Sequence, residues 1–169
     1  PETIADSRRF TERVLGKGIV AARDVPGFVA NRLGVFGMVL ALRMMEEFDL
    51  TIDQVDMLTG PLLGRAKSAT FRTADLTGLD VLSHVATGLA KATGEDFALP
   101  EWVAAMVRNG QLGEKSGAGF YKRVGKEIHT LNWKTMAYAP ATKPETPAIG
   151  KAMRLPLGER LKAAVAVDG

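Results

Sequence analysis

The residues from Phe28 to Glu47 constrain this chain more than any other stretch. Apolar side chains stand at 29, 33, 36, 40, 44 and 48, and beside them at 28, 35, 39 and 42. That spacing predicts one long helix, too rich in apolar residues for a thin amphipathic surface element, so it is expected to be mostly buried. The entry to the helix reads Pro26-Gly27-Phe28-Val29-Ala30-Asn31-Arg32-Leu33, and proline's fixed φ suits a first helical turn. Asn31 is one of very few polar groups in the first half of this helix. A buried amide without partners costs about 1–3 kcal/mol, so Asn31 is expected to brace a neighbouring backbone group or to meet a bound molecule. Arg32 is read as half of an ion pair ahead of a ligand contact.

A chain of 169 residues with 46% apolar content fits one domain with a real core. It has no uncharged apolar run long enough to span a bilayer, and Pro1-Glu2-Thr3-Ile4-Ala5-Asp6 has neither the basic start nor the apolar centre of a secretory signal. The absence of cysteine excludes disulfides and thiolate chemistry and suits a reducing, cytoplasmic setting. No metal site is expected. The net charge of +3 and pI near 9.3 come from interspersed charges, without the basic, aromatic-laced stripe of a nucleic-acid groove.

Along the chain, residues 3–15 read as an amphipathic helix and 18–24 as a short strand, apolar on both faces like a strand of a covered parallel sheet. With no second strand nearby, residues 1–25 look like the last helix and strand of a truncated dinucleotide-binding domain. Thr51-Ile52-Asp53-Gln54 matches a capping box opening a helix to about Leu58, and Gly60-Pro61-Leu62-Leu63-Gly64 is a turn-rich loop. Ser68 is a suitable cap for a helix over 69–77, and further helices are predicted over 79–93 and 100–109. Phe120-Tyr121-Lys122-Arg123 and Glu127-Ile128-His129-Thr130-Leu131 flank Val124-Gly125-Lys126 as a hairpin. Residues 138–147, with three prolines, read as an extended linker, and 157–165 as a last helix.

Three stretches, in order and at fitting intervals over residues 15–123, carry a resemblance. Asp24-Val25-Pro26-Gly27-Phe28-Val29-Ala30-Asn31-Arg32-Leu33 resembles the junction motif of 3-hydroxyacyl-CoA dehydrogenases. Thr73-Ala74-Asp75-Leu76-Thr77-Gly78-Leu79-Asp80 is similar to their Ala-Asp-Leu-x-Gly-Leu-Asp segment. Glu114-Lys115-Ser116-Gly117-Ala118-Gly119-Phe120-Tyr121 is similar to their Lys-x-Gly-x-Gly-Phe-Tyr ending. The resemblance implies a mainly α fold, a helical bundle of the 6-phosphogluconate dehydrogenase C-terminal-like type over 26–123. A hairpin return, a Pro-rich linker and the start of a following segment would occupy 124–169. It also implies oxidation of 3-hydroxyacyl-CoA to 3-ketoacyl-CoA in fatty-acid β-oxidation, with NAD held by a dinucleotide-binding domain outside this chain, and a homodimer formed through helices.

The same resemblance makes Asn31 the one catalytic residue carried over, a carboxamide that reaches substrate in the cleft. The family's His-x-x-Asn-Pro context is absent; His84 and His129 are read as packing or surface histidines, and Gly117-Ala118-Gly119-Phe120 opens a strand where a phosphate loop opens a helix. The chain alone is therefore expected neither to bind NAD nor to turn over substrate. Gly64-Arg65-Ala66-Lys67-Ser68-Ala69-Thr70-Phe71-Arg72 departs from the Pro-Met-Gly-Pro-Phe-Glu-like segment of single-function relatives. Its Arg65, Lys67 and Arg72 are candidates to hold coenzyme A phosphates, with solvated surface charge as the competing account. Met38, Met44, Met45 and Met57 are read as core. Two other classes compete with the dehydrogenase reading: a non-catalytic helical protein-interaction module, and the helical half of another two-domain hydroxy-acid dehydrogenase.

Overall fold

The computed structural model describes residues 2–144 and 147–166. Eight helices and one three-stranded antiparallel sheet appear among them, in the order α1 (Glu2–Arg13), α2 (Ala30–Glu47), α3 (Ile52–Thr59), α4 (Phe71–Thr77), α5 (Leu79–Thr93), α6 (Glu101–Arg108), β1 (Tyr121–Val124), β2 (Glu127–Asn132), β3 (Ala137–Pro140), α7 (Pro147–Ala152) and α8 (Leu157–Val165). Single 3-10 turns at Pro61–Leu63 and Glu114–Ser116 join α3 to α4 and α6 to β1. The core gathers one face each of α2, α3, α5 and α6 around Phe71 and Phe120, whose rings lie 4.7 Å apart, with Trp102 edge-on to Phe120 at 5.9 Å.

The capping box is present as read. Thr51 Oγ1 accepts from the Gln54 amide at 3.2 Å and Gln54 Oε1 from the Thr51 amide at 2.8 Å, so two otherwise orphaned donors are satisfied. α5, α6, the hairpin and α8 fall within two residues of their sequence bounds. Met38 and Met45 are buried in the core as expected, whereas Met44 and Met57 are only half-buried and stand outside it.

Several expectations need correction. α2 is buried on one face only: Val35, Met38, Val39, Leu42 and Met45 point inward, while Leu33 is 65% exposed, Phe36 56% and Leu40 44%. Residues 18–24 form no strand, for no described strand lies beside them to complete a ladder. α1 has no buried residue.

Ser68 does not cap α4, whose first amides are held instead by a carboxylate of α3; the Ser68 hydroxyl accepts from Thr73 Oγ1 at 2.9 Å. The proline-rich stretch is not an extended linker. β3 pairs along β2, with Leu131 opposite Tyr138, and α7 follows; positions 145 and 146 of the expected linker lie outside the described residues. Prolines at 140, 144 and 147 hid this because two of them sit at element ends, where no ladder or helix hydrogen bond is lost.

Candidate functional site

Asn31 stands in the first turn of α2, after a reversal in which Gly27 and Phe28 adopt φ of +78° and +43°. The φ at 27 is one that L side chains rarely adopt, and a Cβ there would also press on Leu89 Cδ2 at 2.6 Å, so glycine is favoured. The Asn31 side chain is exposed and makes no hydrogen bond among the described residues, which corrects the expectation that this amide is buried and partnered within the chain. Its neighbour Arg32 does pair, with Glu95. An apolar cavity of about 390 Å³ opens along the same helix face, lined by Phe28, Val29, Arg32, Leu33 and Phe36, with Phe97.

The three candidate phosphate ligands separate. Arg65 turns to the Thr70 hydroxyl at 3.0 Å and lines none of the described cavities. Lys67 and Arg72 both reach a second, larger groove of about 1000 Å³ between α3, α4, residues 142–144 and α7 with Met153. Arg72 lies over the Tyr121 ring, 5.8 Å from its centroid. This groove contains neither Asn31 nor any residue of the α2 cavity, so the structure does not gather the four sequence candidates into one pocket.

Sequence reasoning missed the roles of two carboxylates, half-buried Asp56 and buried Asp75. Asp56 of α3 accepts from the amides of Thr70, Phe71 and Arg72 at 3.0, 2.7 and 3.1 Å, and from the Tyr121 hydroxyl at 2.8 Å. It is the true cap of α4. Asp75, 4% exposed, accepts from the amides of Phe120 and Tyr121 at 2.9 and 2.8 Å.

Burial raises both carboxyls against these donors, Asp75 to about 6. Tyr121 is raised far above the ordinary phenol range by burial and by the Asp56 charge beside it. A Cβ on Gly119 would sit 2.1 Å from Asp75 Oδ1, and one on Gly113 2.3 Å from the Asp75 carbonyl oxygen. Lys115 closes the junction on Asp80 at 2.5 Å. Asp75 and Gly119 were visible in the motifs, but their being partners was not, because 44 residues part them. Asp56 carried no sequence signal at all.

Two of the three stretches that carry the resemblance are thus bound to each other, and the third presents an exposed amide. The model of the 3-hydroxyacyl-CoA dehydrogenase C-terminal domain matches residues 27–123. The chain belongs to this family. It is 57% identical, over 85% of its length, to a probable 3-hydroxyacyl-CoA dehydrogenase of Deinococcus radiodurans, of which it covers 42%. It is 42% identical, over 88% of its length, to a protein of the same description in Bacillus subtilis, of which it covers 19%. The crystal structure of M. tuberculosis FadB2 superposes with a TM-score of 0.59 at 36% identity, covering 71% of this chain and 42% of that one. The chain therefore spans less than half the length of these relatives.

The described residues do not fit a dinucleotide. Of the two Gly-x-Gly pairs, Gly16 and Gly18 follow α1 into irregular chain, and Gly117 and Gly119 lead into β1, with Gly119 packed on a carboxylate that would repel a phosphate; no helix opens at either place to receive one. His84 is exposed, and His129 lies 3.6 Å from Glu127 in the hairpin, outside every cavity described. Among the described residues no helix is long and apolar enough to cross a membrane.

Proposed function

We propose that this chain is the substrate-binding and dimerising helical portion of an NAD-dependent 3-hydroxyacyl-CoA dehydrogenase, acting with a dinucleotide-binding domain that supplies the cofactor and the histidine base. Family membership supports the activity, the arrangement of its helices supports a 6-phosphogluconate dehydrogenase C-terminal-like bundle, and a cysteine-free composition suits a cytoplasmic enzyme. The observation that carries the reading is Asn31. Arg32, Asp75, Asp80 and Lys115 of the same motifs are all engaged inside the chain, whereas the Asn31 amide is exposed and unspent. An amide so placed has hydrogen bonds to offer a 3-hydroxyacyl group, and a pre-aimed donor is worth about 2.7–4 kcal/mol of barrier. Lys67 and Arg72 remain the candidates for the anionic groups of the coenzyme; Arg65 does not, being tied to Thr70.

In the enzyme carrying this chain and its dinucleotide-binding domain, Asn31→Ala lowers kcat about a hundredfold for 3-hydroxyacyl-CoA and leaves the thermal midpoint in place. Undiminished kcat overturns the reading. The apolar stripe of Leu33, Phe36 and Leu40 on α2, continued by Phe28, supplies a contact surface for a second copy. Phe36→Glu is expected to shift a dimer to monomer in sedimentation.

A further inference from the structure

The turn that carries Asn31 is poorly anchored for the start of so long a helix. From Phe28 to Gly34 no residue is buried, and α2 first enters the core at Val35. No side chain caps its start, since Val29 stands at the N-cap position without a side-chain hydrogen bond. Phe28 just before it holds a φ of +43°, a region that side chains other than glycine rarely adopt. The chain leading in gives no support either, for none of residues 14–26 is buried. Such a helix end frays unless something outside it holds it.

The tie is the ion pair in which Arg32 Nη2 donates to Glu95 Oε1. Among the described residues it is the only hydrogen bond joining residues 28–34 to a distant part of the chain. The next tie of α2 to the same loop, Arg43 Nη2 to Asp96 Oδ2 at 2.6 Å, comes about three turns later. Glu95 itself stands on a fixed base. The Gly94 amide closes α5 on the Ala90 carbonyl at 3.0 Å, the Glu95 amide donates to Thr93 Oγ1 at 3.2 Å, and Phe97 is buried in the core. Asp96, held by Arg43, also accepts from the Ala98 amide at 3.1 Å. Both side chains of the Arg32–Glu95 pair are partly exposed, so it adds little to global stability. Its effect is geometric: Asn31 shares a turn with Arg32, and an amide is aimed only as well as its turn is held.

We propose that Glu95, acting through Arg32, is a positioning residue that fixes the first turn of α2 and with it the direction of the Asn31 amide. The assignment rests on the reading of Asn31 as a hydrogen-bond partner of substrate, and it gives the loop between α5 and α6 a part in the reaction. Glu95 acts on the turn and not on the reacting atoms.

Two measurements test it. In the 169-residue chain, the Leu33 amide donates to the Val29 carbonyl at 3.0 Å. Glu95→Ala is expected to speed its hydrogen exchange about tenfold, with exchange at Leu42 and the thermal midpoint unchanged. In the enzyme that joins this chain to its dinucleotide-binding domain, Glu95→Ala lowers kcat for 3-hydroxyacyl-CoA about tenfold and leaves KM within about twofold, because the donor is misaimed while substrate affinity is kept. On an Asn31→Ala background, where no amide is left to aim, Glu95→Ala changes kcat by less than about twofold. Undiminished kcat in Asn31→Ala brings down the reading of Asn31, and this assignment with it. Three results overturn the positioning role alone, given a large loss in Asn31→Ala: parental kcat in Glu95→Ala, losses that multiply in the double variant, or unchanged exchange at Leu33.

Discussion

The first turn of α2 and the Asp75 junction are both built from motif residues, and they use them in opposite ways. At the junction Asp75, Asp80 and Lys115 are all spent inside the chain. Asp75 takes two buried amides, Lys115 takes Asp80, and Gly113 and Gly119 are there because the carboxylate and its backbone occupy the space a side chain would need. At α2 the amide of Asn31 is unspent and the helix face beside it leaves Leu33 and Phe36 in contact with solvent. A saturated motif holds the fold together. An unsaturated one at the surface adds little to the stability of the chain that carries it and leaves its hydrogen bonds and apolar area open to an outside contact.

The contrast can be broken most severely at Gly119. Gly119→Ala drives a methyl into the Asp75 carboxylate and to 2.6 Å from Gly113 Cα, and is expected to cost about 3 kcal/mol or more in urea denaturation. A variant as stable as the parent would show that the junction yields freely. Asp75→Asn comes next. Its carboxamide keeps one acceptor oxygen and turns an NH2 toward the second buried amide, so a loss of about 1–3 kcal/mol is expected from the same measurement.

Smaller still is the pH dependence. The Asp75 carboxyl is raised to about 6 by burial, so the folded state favours its neutral form. Its stabilising effect is fully present below the ordinary carboxyl range and is lost as pH rises through about 6. Between pH 7 and pH 5 the parent should therefore gain stability relative to Asp75→Asn; a constant difference across that window contradicts the raised value. At the bottom of the scale, Asn31→Ala should alter stability by less than about 0.5 kcal/mol, as for surface positions free of special contacts. A larger loss would move Asn31 to the structural side of the comparison.

Much of the local structure was legible because its causes are local. The Thr51–Gln54 box, the glycines after α5 and the Pro-Glu start of α6 act within a turn or two, and those helices begin and end close to where the chain says they should. The resemblance of Asp75 and Gly119 to family motifs was legible too, though not the reason for it. The burial of α2 departs from its apolar pattern because apolar content reports what could be covered, and half of this helix has nothing among the described residues to cover it. Ser68 lost the cap of α4 to Asp56 because a carboxylate from another helix, already desolvated, can accept three amides where a neighbouring hydroxyl accepts one.

By itself, then, the sequence determined the helices, the hairpin and the family, since periodicity, caps and motif residues are properties of neighbouring positions. Tertiary structure alone decided that Arg65 stays apart from Lys67 and Arg72, that β3 and α7 replace a linker, and that Asn31 is open while Asp75 is closed. Each of those outcomes depends on groups brought together across tens of residues, and competition among distant donors, acceptors and apolar surfaces is settled only when the chain has packed.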